Sequence, residues 1–305
     1  MLSLLLFLLV TLSIVVSARP TRIHLLALWK LIVDHHYPAK RSISPPKFSK
    51  AIALGAFKDG GGCKNSQDIT SDLLFLADQG YDMVRLYDIA CDQVSNALSA
   101  IKQESKLSQM KLLLGILTLG EKLSENVGLL AAQVAGRWES VYAVNFGNEL
   151  VETGKMTADQ VIRDINTGKS LLSGQGWNGP SIIIDTWVAI ANSPSLCTAG
   201  DFIGANAHPY FDLHTEAATA ASFLTQTVIP RLKSACSTSS STILITETGW
   251  PSSGGDKASS SLQATAIAAL ESLPVPHVLF EAFNEPSKAT NSGQPVEGFW
   301  GIYTH

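Results

Sequence analysis

The sequence is short of charge. Only 16% of its 305 residues are Asp, Glu, Lys or Arg, and the formal net charge is −4. A chain without a basic surplus has little to offer a phosphate backbone or an anionic bilayer, which argues against nucleic acid and membrane surfaces as partners. A neutral polymer suits it better. No Asn-x-Ser/Thr sequon occurs, so N-glycosylation is not expected. No two cysteines stand at C-x-x-C spacing, which argues against a zinc or dithiol redox centre. The Gly-rich stretch GAFKDGGG (55–62) has neither the G-x-G-x-x-G pattern nor the Lys-Ser/Thr ending of a phosphate loop, and reads as a flexible cleft rim. Metal ligands are not clustered either, so neither a metal nor a cofactor is expected.

What is present begins with an apolar run. Residues 1–18, MLSLLLFLLVTLSIVVSA, end in small residues as a secretory signal does. The run opens without Lys or Arg, and its length reaches the lower limit for an uncleaved membrane anchor, which is the rival reading. Residues 19–50 show no sustained strand or helix period. They read as a pro-segment or flexible extension, with Lys40-Arg41 a candidate processing site. Four cysteines behind an export signal, Cys63, Cys91, Cys197 and Cys236, suggest two disulfides, for which three pairings exist.

From residue 51 onward, short apolar runs alternate with longer amphipathic stretches. The runs are Ile52–Phe57, Met83–Tyr87, Leu112–Leu117, Tyr142–Phe146, Ile182–Thr186, Phe202–Asn206, Ile243–Thr246 and Val278–Phe283. Their lengths suit strands. Helical periods lie between them, such as Ile69, Leu73, Leu76 and Ala77, with Asp68 and Thr157 as expected N-caps. After the fifth run there is room for only a turn or two of helix. The Ser/Thr run 237–242 reads as a surface loop. Alternating patterns imply parallel strands with right-handed crossovers, and the number of units fits a single (β/α)8 barrel domain over 51–305.

Catalysis in such a barrel sits at the C-terminal ends of the strands. The fourth run leads into Phe146-Gly147-Asn148-Glu149, the seventh into Glu247-Thr248-Gly249-Trp250. Glycoside hydrolysis needs two carboxyls. One is protonated and donates to the leaving oxygen; the other is ionised and attacks the anomeric carbon or activates water. A close pair splits its own titration, because the charge on one raises the pKa of the other. Singly, each Glu has a plainer reading as a strand-end ion-pair partner. Asn148 adds an amide for a sugar hydroxyl, and Trp250 an apolar plate for a sugar face.

The segments FGNE (146–149), ETGWPS (247–252) and FEAFNEPSK (280–288) resemble glycoside hydrolase family 17, the β-1,3-glucanases and glucanosyltransferases. ALGAF (53–57), VRLYD (84–88) and EGFWGIY (297–303) are similar to it as well. The resemblance runs from about residue 51 to the C-terminus. It implies a retaining barrel enzyme acting on β-1,3-glucan or laminari-oligosaccharides, with Glu149 as acid/base and Glu247 as nucleophile. FEAF and the short loop after strand six look closer to the fungal cell-wall branch than to the plant branch. The resemblance also sets Arg85 beside the nucleophile, and Glu281, Glu285 and Lys288 on sugar hydroxyls. For both, a structural ion-pair network is the competing reading. His208 stands where relatives often carry a Tyr bonded to the nucleophile. Tyr87, Tyr210 and Trp187 are candidate substrate contacts.

Cys63 and Cys91 fall on neighbouring loops of the catalytic face and could bridge, leaving Cys197 for Cys236. Two other functions compete: a non-catalytic glucan-binding or structural wall protein on a degenerate barrel, and a β-1,4-glycosidase of the same geometry. The intact carboxylate pair counts against the first, and the family segments against the second. Once processed, the protein is expected to be an extracellular or cell-wall monomer free of the membrane.

Overall fold

A computed structural model describes residues 45–237 and 242–304. The expected signal, the extension up to residue 44 with Lys40-Arg41, and the middle of the Ser/Thr loop lie outside the described residues. Strands β1 (Ala51–Ala53), β2 (Met83–Leu86), β3 (Lys111–Ile116), β4 (Val141–Phe146), β5 (Ser181–Thr186), β6 (Ile203–Asn206), β7 (Ile243–Thr248) and β8 (His277–Leu279) close into a barrel in sequence order. Every neighbouring pair is parallel, including β8 with β1. Each strand falls on one apolar run. Two runs overshoot: those at 52–57 and 278–283 pair only as far as Ala53 and Leu279, and the remainder leaves the sheet to build the barrel mouth.

The strands are buried on both faces because successive residues serve two cores. Ile52, Val84, Leu112, Leu114, Val144, Ile183, Ile243 and Ile245 point outward to the helices. Ala51, Ala53, Met83, Leu113, Ala143, Ile182, Ile184, Leu244 and Val278 fill the barrel. Followed to the C-terminal ends, the inward series continues with Arg85, Asn145, Asn206 and Thr246, all buried. The same period that packs an apolar core thus lays a polar layer across the mouth.

The outer layer is α1 (Ser66–Asp78), α2 (Gln93–Gln103), α3 (Leu123–Val134), α4 (Ala158–Gly174), α5 (Trp187–Asn192), α6 (Ala220–Phe223), α7 (Ile229–Cys236), α8 (Ser260–Leu270) and α9 (Pro286–Ser292). Thr157 caps α4 as expected, in a capping box with Gln160. For α1 the cap is Asn65 rather than Asp68. Asn65 accepts from the Gln67 and Asp68 N–H groups, while the Asp68 carboxylate, at the third helical position, accepts the Asn65 N–H at 2.8 Å. The two residues form one box, and reading only its acid moves the helix start by a turn. Helix α5 has six residues, as the short gap requires.

Both disulfides are the neighbouring-loop pair and its complement: Cys63–Cys91 ties the loops after β1 and β2, and Cys197–Cys236 ties the turn after α5 to the end of α7. At the opposite end of the barrel, residues 45–50 lie under the strands. The Tyr142 hydroxyl donates to the Pro46 carbonyl at 2.9 Å, and Asp82 accepts the Ser49 and Lys50 N–H groups. No helix among the described residues is long and apolar enough to cross a membrane.

Candidate active site

Two local devices deliver the carboxylates to the mouth. After β4 the chain turns through left-handed backbone at Gly147 (φ +76°) and at Glu149 itself (φ +54°), which costs a residue with a side chain about 1 kcal/mol. The turn is tied down around it. Glu149 N–H donates to the Ile184 carbonyl at 3.1 Å, and the Asp185 carboxylate accepts the Val151 and Glu152 N–H groups. At β7 the pairing slips: Ala205 faces Ile245, yet Asn206 faces Glu247. Such a slip re-aims side chains. Thr246 and Glu247 consequently both reach the lattice inside the mouth.

A single lattice joins the two acids. Arg85, fully buried, donates from Nη1 to Glu247 Oε1 at 2.8 Å and to the Thr246 carbonyl at 2.9 Å, and from Nη2 to Asn148 Oδ1 at 2.8 Å. Asn206 Nδ2 donates to Glu149 Oε1 at 2.8 Å and to Asn148 Oδ1 at 3.1 Å. Asn206 Oδ1 accepts from the Thr246 hydroxyl at 2.8 Å. The second oxygen of Glu247 meets His208 Nε2 at 3.1 Å. Trp300 and Phe280 hold that imidazole edge-on, at 4.7 and 5.2 Å between ring centroids.

This lattice drives the carboxyls apart in pKa. Burial, with the Glu247 charge adding to it, raises Glu149 above its ordinary value. Burial would raise Glu247 as well, but the Arg85 cation and the His208 contact outweigh it and hold Glu247 below its ordinary value. The Tyr87 ring lies over the Arg85 guanidinium at 4.4 Å, and burial followed by the Glu247 charge pushes its phenol well up. At one pH, therefore, one carboxyl is disposed to keep its proton and the other to have lost it.

Glu149, Glu247, Asn148, Tyr87, Glu285 and Lys288 line one cavity of about 680 Å³ at the mouth. Lys288 bridges Glu281 at 2.7 Å and Glu285 at 2.8 Å. Glu285 comes so close to the β1 loop that a Cβ on Gly55 would stand 1.3 Å from its Oε1. Burial pushes the Glu281 carboxyl up to about 7, against the pull of Lys288. Burial opposes the Lys288 charge, but Glu281 and Glu285 prevail and raise it.

Four expected substrate contacts are placed elsewhere. Trp250 is buried, its Nε1 donating to the Lys257 carbonyl at 2.8 Å, and it does not line the cavity. Tyr210 packs edge-on against Trp250 and Trp300 at 5.4 and 5.8 Å, also outside the cavity lining. Glu281 is 0% exposed and lies beneath Lys288 rather than in the cavity wall. Trp187 sits on α5 against Phe223, away from the lining. Conversely, Asn206 touches both Asn148 and Glu149 without having been singled out from the sequence. Its place two residues beyond Gly204 in the inward series is the signal that finds it.

The family model described as the BtgE/BtgC glycoside hydrolase domain matches residues 51–301. The chain belongs to this family. The match spans all eight strands and both carboxylate turns. Among curated relatives, cell surface mannoprotein MP65 of Candida albicans is 35% identical over 84% of the chain and 67% of its own length. Probable family 17 glucosidase SCW10 of Saccharomyces cerevisiae is 37% identical over 83% of the chain and 64% of its own length. The chain thus spans about two thirds of these relatives. Among solved structures, an active-site mutant of Rhizomucor miehei β-1,3-glucanosyltransferase in complex with laminaritriose superposes with a TM-score of 0.69 at 20% identity, covering 87% of the chain and 94% of that protein. At that identity the likeness bears on the fold, a (β/α)8 barrel in both.

Proposed function

We propose that the protein is a retaining β-glycosidase or transglycosylase of β-1,3-glucan, with Glu247 as nucleophile and Glu149 as acid/base. The observation that carries the reading is the shared lattice in which a half-buried and a buried carboxyl are displaced in opposite directions. In the first step a Glu247 oxygen attacks the anomeric carbon, while Glu149 gives its proton to the glycosidic oxygen and the leaving sugar departs. In the second, the Glu149 carboxylate takes a proton from water or from a sugar hydroxyl, whose oxygen displaces Glu247. Two inversions give net retention. Water yields hydrolysis and a sugar yields transfer. Asn148, Glu285 and Lys288 supply hydrogen-bonding groups around the bound sugar. The names of the family 17 relatives and of the Rhizomucor protein support the substrate class. The two disulfides, and a relative named for the cell surface, support export to the wall.

The test is to incubate the protein with laminari-oligosaccharides of defined length and to follow products by mass and anomer. Shorter or longer β-anomers appearing first are expected. An unchanged substrate, or α-anomers first, overturns the proposal.

The pH profile follows from the same lattice. Activity needs Glu247 ionised and Glu149 protonated, so kcat/KM should be bell-shaped, with its maximum between the lowered Glu247 pKa and the raised Glu149 pKa. Arg85→Gln removes the cation that holds Glu247 down. The Glu247 pKa then rises, and the acidic limb should move to higher pH by about one unit or more while the alkaline limb keeps its place. A profile measured on the folded variant with an unmoved acidic limb removes Arg85 from this role.

A further inference from the structure

The catalytic cavity is lopsided. Its wall comes from the segments after β8, β1 and β2, with Glu247 on β7, Leu117 beyond β3 and the Asn148-Glu149 pair beyond β4, and nothing from beyond β5, β6 or β7. In a displacement at the anomeric carbon, the nucleophile and the leaving oxygen stand on opposite sides of that carbon. The departing sugar therefore lies on the Glu149 side, away from Glu247. The sugars that stay on the enzyme through the covalent step are left with the walled part, over β8, β1 and β2.

At the edge of that part stands Phe57. It lines the cavity, and at 43% exposed it belongs to the few large apolar side chains left open to solvent among the described residues. Its backbone is firmly placed. The segment read from the sequence as a flexible rim is a closed hairpin: Phe57 pairs antiparallel with Cys63, Lys58 N–H donates to the Gly62 carbonyl at 3.0 Å, and Lys64 N–H to the Ala56 carbonyl at 2.9 Å. Gly61 and Gly62 make the turn at φ +82° and +79°, a conformation that favours glycine. The Cys63–Cys91 disulfide fastens the hairpin to the β2 loop, which supplies Tyr87, Asp88 and Ala90 to the same wall. A lone exposed ring needs no explanation. A ring held at the edge of a cavity lined by carboxylates and amides presents a preorganised apolar face beside hydrogen-bonding groups, which is the pairing a glucose unit requires.

We infer that Phe57 is a stacking platform for a glucose unit on the retained, non-reducing side of the cleavage point, and that the Cys63–Cys91 disulfide holds it in place. The inference rests on the reaction proposed above and adds a chain-length preference to it. The test uses aryl β-glycosides that carry one, two or three β-1,3-linked glucose units on the same leaving group. In the native protein kcat/KM should climb with each added unit. In Phe57→Ala the ratio between the three-unit and one-unit substrates should fall roughly tenfold, mainly through KM, the amount expected from uncovering one ring face. Phe57→Tyr should keep the native ratio. The double variant Cys63→Ser, Cys91→Ser should lower the ratio in the same direction. Melting temperatures separate these effects from unfolding, and Phe57→Ala, at an exposed position, carries the test should the cysteine pair be required for folding. A native ratio in Phe57→Ala, or an equal loss on all three substrates, overturns the platform. A folded double-serine variant with the native ratio overturns the part given to the disulfide. Failure of the native protein to release the aryl group from any of the three overturns the reaction itself, and the platform with it.

Discussion

Glu149→Ala is expected to lose roughly 10²- to 10⁴-fold in kcat/KM on laminari-oligosaccharides, the range in which loss of a general acid falls. The loss should depend on the leaving group. A sugar departs as a strongly basic alkoxide and needs the proton. An aryl group with an acidic phenol does not, so with such a substrate the first step should survive. Glu247 is intact in this variant, still paired with Arg85 and His208, and remains ionised. The glycosyl-enzyme should then form quickly and persist, because the second step has lost its base. The visible results are a burst of phenol followed by a slow steady state. Azide, which attacks without giving up a proton, should restore turnover and yield the β-glycosyl azide. No burst with an activated substrate, or an α-azide, would take the acid/base role from Glu149.

Removing Glu247 should cost more. Glu247→Ala deletes the proposed nucleophile, and a loss of roughly 10⁴-fold or more is expected on every substrate, good leaving group or not. Insensitivity to the leaving group is what distinguishes this variant from the first. The carboxylate leaves behind a space beside Arg85 Nη1, which loses its 2.8 Å acceptor and becomes a natural partner for a small anion. Azide placed there attacks the same face as Glu247 did, while Glu149 still protonates the leaving oxygen. The product should be the α-glycosyl azide, opposite to that of Glu149→Ala. Because Arg85 also bonds the Thr246 carbonyl and Asn148, most of the lattice should survive the substitution, and the melting temperature is expected to stay close to native. If both variants keep native activity, Glu285 in the cavity wall and Glu281 behind it are the next carboxyls to examine.

Much of this site is legible in the sequence, and the exceptions have physical causes. The eight apolar runs give the barrel because parallel strands covered on both faces must be apolar throughout. The barrel in turn says that a Glu at the C-terminal end of a strand or just beyond it faces the mouth, which singles out Glu149 and Glu247. Arg85 and His208 follow from motif position and are found at hydrogen-bond distance from Glu247. Adjacency along the chain misleads at Trp250. It lies three residues past Glu247, yet the loop turns its indole inward, to a carbonyl that only the folded loop provides. Glu281 misleads for a related reason: it is next to Phe280, which lines the cavity, but its carboxylate is covered by Lys288 and does not reach the cavity wall. Asn206 is within reach of the sequence by counting alternation along β6, but the slips in pairing at β6 and β7 that bring it level with Glu247 depend on the closure of the ring. The rigidity of the 57–63 hairpin is hidden as well, since three consecutive glycines read as slack until the Cys63–Cys91 bond and the cross-strand hydrogen bonds are seen.

The covalent intermediate on Glu247 is the point on which the proposed mechanism stands, and it can be observed directly. A glucoside or laminaribioside with fluorine at C2 and a good leaving group slows both displacements, because fluorine disfavours the positive charge that develops at the anomeric carbon. The activated leaving group restores the first step, so the glycosyl-enzyme accumulates. The native protein treated with such a reagent should gain the mass of one glycosyl unit, and peptide mapping should place the adduct on Glu247, within the segment Ile243–Pro251. The Glu247→Ala variant should gain nothing. An adduct on Glu149, Glu281 or Glu285 would contradict the assignment of the nucleophile, and α-configured product released without any adduct would contradict double displacement itself.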